Sequence, residues 1–152
     1  MNIRLFKPSV GKEELRKIET AFKSSWIGLG PRVHEFELAW SKYIGCKTSI
    51  GVNSCTAALH LALKCLNFEK GKKVLVPSQT FSATASAVLY NDLIPVFVDS
   101  DPITLGISIS DLEKKYDTDC VAVIPVHFAG HPIKIDVLVE WAKEKELRVI
   151  ED

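Results

Sequence analysis

Short apolar runs alternate with segments of helical period along most of this chain. The runs are Ile50 to Val52, Lys72-Lys-Val-Leu-Val-Pro77, Ile94-Pro-Val-Phe-Val98, Cys120-Val-Ala-Val-Ile-Pro-Val126 and Leu147-Arg-Val-Ile150. None shows the apolar/polar alternation of a strand with one wet face. Continuous apolar strands separated by helices belong to a mostly parallel sheet covered on both sides, because each parallel pair needs a crossover element. The expectation is therefore an α/β fold in three layers.

The intervening segments carry helix signals. Ser9 can cap a helix to about Ser25, with Leu15, Ile18 and Phe22 on one side. The stretch Trp26-Ile-Gly-Leu-Gly-Pro31 breaks it, and a second helix follows with Val33, Phe36, Trp40 and Tyr43 in a stripe, ended by Gly45. The next helix bears Leu59, Ala62, Leu63 and Leu66. Another opens within Ser78-Gln-Thr-Phe-Ser-Ala-Thr84 and carries Phe81, Ala85, Val88 and Leu89. A short run at Thr104 to Ile107 leads into Ser108-Ile-Ser-Asp111, close to a capping box. A last helix bears Val137, Leu138, Trp141 and Ala142. With no interior linker or repeat, the expected organisation is N-terminal helices over about 10–44 and an α/β core over about 47–152.

Ligands of open parallel sheets collect beyond the carboxyl ends of the strands. The residues expected there are Asn53 to Thr56, Ser78 to Phe81, Asp99, His127 and Asp152. Of these, the turn after Ile50–Val52 is the most suggestive. Ser54, Cys55 and Thr56 open a helix whose first N–H groups have no partner within it, and such an end attracts anions. Ordinary N-capping by Ser54 is the competing reading. Asp99 and Asp101 read as turn formers, and His60 as a packing or surface residue.

Composition excludes several classes. Lys plus Arg equals Asp plus Glu at 19 each, so charge argues for no nucleic-acid or anionic-membrane partner. No apolar run approaches the ~20 residues of a membrane helix, and the N-terminal residues lack a secretory apolar core, which makes the cytoplasm the expected location. Cys46, Cys55, Cys65 and Cys120 fit neither a zinc nor a disulfide spacing. Cys46, Cys65 and Cys120 read as small buried hydrophobes.

The motifs Trp26-x-Gly28-x-Gly30-Pro31, Phe36-Glu37, Asn53-Ser-Cys-Thr-Ala-Ala-Leu59, Pro77-Ser-Gln-Thr-Phe81, Pro95-Val-Phe-Val-Asp99 and Val149-Ile-Glu-Asp152 occur in the order of one family. The chain resembles the nucleotide-sugar aminotransferases of the DegT/DnrJ/EryC1/StrS group, over about Trp26 to Asp152. These are pyridoxal-phosphate enzymes of the aspartate-aminotransferase-like class, fold-type I. The resemblance implies the N-terminal part of the large domain, with the rest of that domain and the small C-terminal domain absent.

It also implies roles. Ser54, Cys55, Thr56 and Ala57 would hold the phosphate of pyridoxal 5'-phosphate, mainly through Thr56 and backbone N–H groups. Phe81 would lie against the pyridine ring, and Asp152 would pair with the ring nitrogen and keep it protonated. Cys55 stands where many members have glycine. The Schiff-base lysine is implied beyond Asp152, so no catalytic residue is assigned here, and the chain alone is expected to be inactive. The partners implied for the whole protein are a nucleotide-linked keto sugar, an amino-acid donor such as glutamate, and a second copy in a homodimer. The products would feed surface polysaccharide, lipopolysaccharide or aminosugar synthesis.

Three alternatives stay open. Members with histidine in place of the lysine are sugar dehydratases. Cys55 at a helix start, where a thiol pKa is lowered, could serve a cysteine hydrolase with His127 and Asp152. A truncated, non-catalytic domain is the third.

Overall fold

Val74, Leu75 and Val76 are shut off from solvent on both sides, as a central parallel strand requires. They belong to β1 (Lys73–Pro77) in a computed structural model that describes residues 7–152. The other strands are β2 (Ile94–Val98), β3 (Cys120–Val123) and β4 (Arg148–Val149). All pairings are parallel, in the order β2-β1-β3-β4. The register of β1 on β3 jumps from Lys73↔Cys120 to Val74↔Ala122, so Val121 is the extra residue of a bulge.

The chain divides into two compact units, one ending at Gly51 and the other running from Val52 to Asp152. The second contains the sheet. Helices α3 (Cys55–Leu66) and α4 (Ala83–Leu89) cover one face through Leu59, Leu63, Ala87 and Val88, packed with Val74, Val76, Ala122 and Ile124. Helices α5 (Ile109–Lys115) and α6 (Ile135–Glu144) cover the other through Leu112, Leu138, Trp141 and Ala142, packed with Leu75, Val98 and Val123. This is the three-layer α/β arrangement that the unalternated apolar runs predict. The chain leaves β1 toward β2 over one face and returns past β1 to β3 over the other. The direction therefore reverses between β1 and β3, and a crevice opens where the carboxyl ends of these strands part.

The unit ending at Gly51 holds α1 (Lys12–Lys23) and α2 (Pro31–Ile44). Gly11, not Ser9, starts α1: its N–H donates to the Glu14 carboxylate at 2.6 Å. Gly45 ends α2 in the left-handed conformation (φ 79°), which glycine adopts without strain.

Several expectations are corrected. Ile50 to Val52 is not a strand. The Gly51 N–H is taken by the Glu37 carboxylate at 2.8 Å, Ser49 donates to the Glu37 carbonyl, and Ile50 is 78% exposed with no ladder partner among the described residues. Cys46 and Cys65 are exposed, and only Cys120 of the three is buried. Cys46 follows the glycine that ends α2, and Cys65 lies outside the Leu59/Leu63 stripe that faces the core, so apolar neighbours in sequence did not mean burial. Phe81 precedes α4 instead of riding on it. The run Thr104 to Ile107 forms a single antiparallel bridge, Ile107 to Ser100. As expected, Asp101 is a turn former, accepting from the Ile103 and Thr104 N–H groups at 2.9 and 2.8 Å. Among the described residues no helix is long and apolar enough to cross a membrane.

Candidate functional site

Asp152 is anchored through its backbone beyond the end of β4. Its N–H donates to the Pro125 carbonyl at 2.9 Å, and its own C=O accepts from the His127 N–H at 3.0 Å. These bonds extend the β3–β4 pairing past both strands, with Pro125, which has no N–H, contributing its carbonyl. The carboxylate is then presented at the crevice. Its Oδ2 accepts from the Thr84 hydroxyl at 2.6 Å, and its Oδ1 from the Cys55 thiol at 3.4 Å.

Cys55 is the first residue of α3. Ser54 caps this helix: its Oγ accepts from the Ala57 N–H at 3.2 Å and its C=O from the Ala58 N–H at 3.1 Å. The capping expectation for Ser54 thus holds, and its Oγ–H points to Asn53 Oδ1 at 3.5 Å. The N–H groups of Cys55 and Thr56 meet no acceptor among the described residues, and Thr56 is half-buried beside them. Two free N–H groups, the Thr56 hydroxyl and the positive end of a three-turn helix make a helix start suited to a phosphate dianion.

Phe81 sits in the loop after β1 with 77% of its surface exposed. An aromatic ring left this open beside a polar crevice is available to stack on a planar ligand. The 430 Å³ groove along α6 and β4, lined by Val139, Lys143 and Leu147 to Val149, includes none of these residues.

Electrostatics argue against a nucleophilic thiol. Cys55 is exposed as a residue, yet partial desolvation, and after it the hydrogen bond and charge of Asp152, push its thiol up from the ordinary value. Both causes oppose the thiolate, desolvation first and the Asp152 contact after it. His127 is not available to deprotonate it. Its Nδ1 accepts from the Ile133 N–H at 3.3 Å, which leaves the ring proton on Nε2, 3.0 Å from the Glu151 carboxylate. Both ring nitrogens are occupied, and neither is on Cys55.

Thr84 was not singled out from sequence. The signal was present, since Thr84, Ala87 and Val88 form the buried side of α4 and a hydroxyl on such a stripe needs a partner. His60 and Asp99 take structural roles. His60 Nδ1 meets the Asn91 amide at 3.3 Å, and the Asp99 N–H donates to the Asp111 carboxylate at 2.9 Å.

Comparisons with known proteins bear on this arrangement. The profile of the DegT/DnrJ/EryC1/StrS aminotransferase family matches residues 8–152. The spore coat polysaccharide biosynthesis protein SpsC of Bacillus subtilis is 39% identical over 145 residues, 95% of this chain and 37% of that protein. The dTDP-4-dehydro-2,3,6-trideoxy-D-glucose 4-aminotransferase of Saccharopolyspora spinosa is 37% identical over 152 residues, 99% of this chain and 40% of that one. The crystal structure of NtdA from Bacillus subtilis, with bound cofactor PMP, superposes with a TM-score of 0.87 at 27% identity, over 93% of this chain and 34% of that chain. The chain thus spans about two fifths of the length of these curated relatives.

Proposed function

The chain belongs to the DegT/DnrJ/EryC1/StrS aminotransferase family, and from that premise we propose that its Val52–Asp152 unit is the cofactor-holding part of a sugar aminotransferase dependent on pyridoxal 5'-phosphate. One observation carries the reading: the Asp152 carboxylate touches the first residue of α3, 3.4 Å from the Cys55 thiol. An anion-binding helix start and an acid able to pair with a ring nitrogen therefore share one crevice.

The residues present fit this cofactor. The Cys55 and Thr56 N–H groups, with the Ser54 and Thr56 hydroxyls, would hold the phosphate, and Ala57, whose N–H is engaged by the cap, fixes the turn. When bound, the cofactor supplies an electron-withdrawing ring that takes up and returns an amino group. Asp152 would keep a proton on the ring nitrogen, because a carboxylate beside a pyridine nitrogen favours its charged form. Phe81 would offer its exposed ring for stacking on the pyridine ring.

For the whole protein we propose amino transfer from an amino acid such as glutamate to a keto group on a nucleotide-linked sugar, in a cytoplasmic homodimer serving polysaccharide or aminosugar synthesis. The names of the curated relatives, polysaccharide biosynthesis for one and a dTDP-sugar aminotransferase for the other, support that substrate class. The test is equilibrium titration of the chain with pyridoxal 5'-phosphate, followed by absorbance. Saturable binding is expected, weakened at least about tenfold in Asp152→Ala and in Thr56→Ala. Equal binding by wild type and both variants contradicts the reading. In a protein of the relatives' full length, amino transfer would be read as 2-oxoglutarate formed from glutamate in the presence of a nucleotide-linked keto sugar.

A further inference from the structure

Among the described residues Thr84 is the one polar side chain fully withdrawn into the core, at 0% exposure. A hydroxyl has a single proton to give and two lone pairs to offer. An ionised carboxylate can only accept, so the proton of Thr84 is committed to Asp152 Oδ2 at 2.6 Å. The Thr80 hydroxyl, 2.7 Å from that of Thr84, must then be the donor of that second bond. The result is a directed chain, Thr80 to Thr84 to Asp152, in which each bond polarises the next.

The two carboxylate oxygens are served unequally. Oδ2 receives a short bond from a buried hydroxyl, while Oδ1 receives a long contact from a thiol, a weak donor. A protonated ring nitrogen makes a charge-assisted bond and displaces a thiol far more readily than it displaces the hydroxyl. On the proposed cofactor role of Asp152, on which this inference rests, we propose that Thr84, backed by Thr80, is the positioning residue that holds Asp152 by Oδ2 and leaves Oδ1 for the cofactor's ring nitrogen. Loss of the Thr84 hydroxyl leaves Oδ2 desolvated and unpaired. Without that bond the carboxylate would be free to turn away from the ring nitrogen, which would lose part of the charge that keeps it protonated.

The experiment binds pyridoxamine 5'-phosphate labelled with ¹⁵N in its ring to the chain, and follows the nitrogen shift against pH. Thr84→Val keeps shape and removes the hydroxyl, whereas Thr84→Ser retains it. The ring-nitrogen midpoint is expected to fall by about one unit in Thr84→Val, with affinity down about tenfold, and to stay at the wild-type value in Thr84→Ser. Thr80→Val is expected to lower the midpoint by a smaller amount, and it decides the matter if Thr84→Val does not fold. An unmoved midpoint in folded Thr84→Val, even with weaker binding, overturns the proposal. So does an unmoved midpoint in Thr80→Val when Thr84→Val is unfolded. If wild type and Asp152→Ala bind alike, it is the cofactor role of Asp152 that fails. If they differ and Thr84→Val titrates like wild type, the positioning role fails alone.

Discussion

The Cys55 thiol and the Asp152 carboxylate are 97 residues apart in sequence and 3.4 Å apart in space. Partial desolvation raises the thiol's pKa, and the contact with Asp152 adds to the rise. A raised value means less thiolate at a given pH. Alkylation of Cys55 by iodoacetamide is therefore expected to need higher pH than that of a free cysteine, and Asp152→Asn should bring its midpoint down. Peptide mass mapping separates Cys55 from the exposed Cys46 and Cys65. A Cys55 that alkylates faster than a free cysteine near neutrality would revive the hydrolase reading.

Asp101 holds a turn with its carboxylate, and the Thr104 and Ile103 N–H groups keep its pKa below the usual 3.8. A carboxyl with a lower pKa in the folded state stabilises the fold above its unfolded value, and that contribution is lost as pH falls through the folded value. Asp101→Asn keeps an acceptor but cannot titrate. Its stability should fall less steeply than that of wild type below about pH 3.8, as read from denaturant midpoints across the acid range.

Gly30 has no room for a Cβ, which would overlap the Trp26 ring, whose Nε1–H donates to the Leu29 carbonyl at 2.7 Å. Gly30→Ala should push the ring aside and break that bond. The indole N–H resonance of Trp26 is expected to move to a solvent-exposed position. Because Trp26 lies in an exposed loop, the stability cost should stay within about 1 kcal/mol.

Leu63 and Leu61 are two residues apart on α3 but differ in burial, at 1% and 45% exposure. Leu63→Ala opens a cavity between α3 and the sheet and should cost about 2–5 kcal/mol. Leu61→Ala should cost about 1 kcal/mol or less. Urea denaturation of the two variants checks the assigned face of the helix. Equal costs would contradict it.

Much of the fold was legible because its signals are local. Ile94–Val98 reads as a strand from its apolar run between turn residues, and Ser108 reads as a cap because Asp111 follows at the right spacing; its Oγ accepts from the Asp111 N–H. Ile50–Val52 failed because strandness depends on a neighbour: apolar content predicts burial, but a ladder needs a partner, and the Gly51 N–H is bonded to Glu37 instead. The site was half legible. Helix-start chemistry at residues 54–57 is visible in the sequence. The bond from Thr84 to Asp152 joins residues 68 apart, so no local pattern encodes it. The weight of Asp152 in the raised thiol pKa likewise needed the tertiary contact.

The most direct measurement is a crystal structure of this chain soaked with pyridoxamine 5'-phosphate. The ring nitrogen is expected within hydrogen-bonding distance of Asp152 Oδ1, with the phosphate on the N–H groups of Cys55 and Thr56 and the ring against Phe81. A phosphate bound elsewhere, or a ring nitrogen facing solvent with Asp152 still on Cys55, would contradict the account.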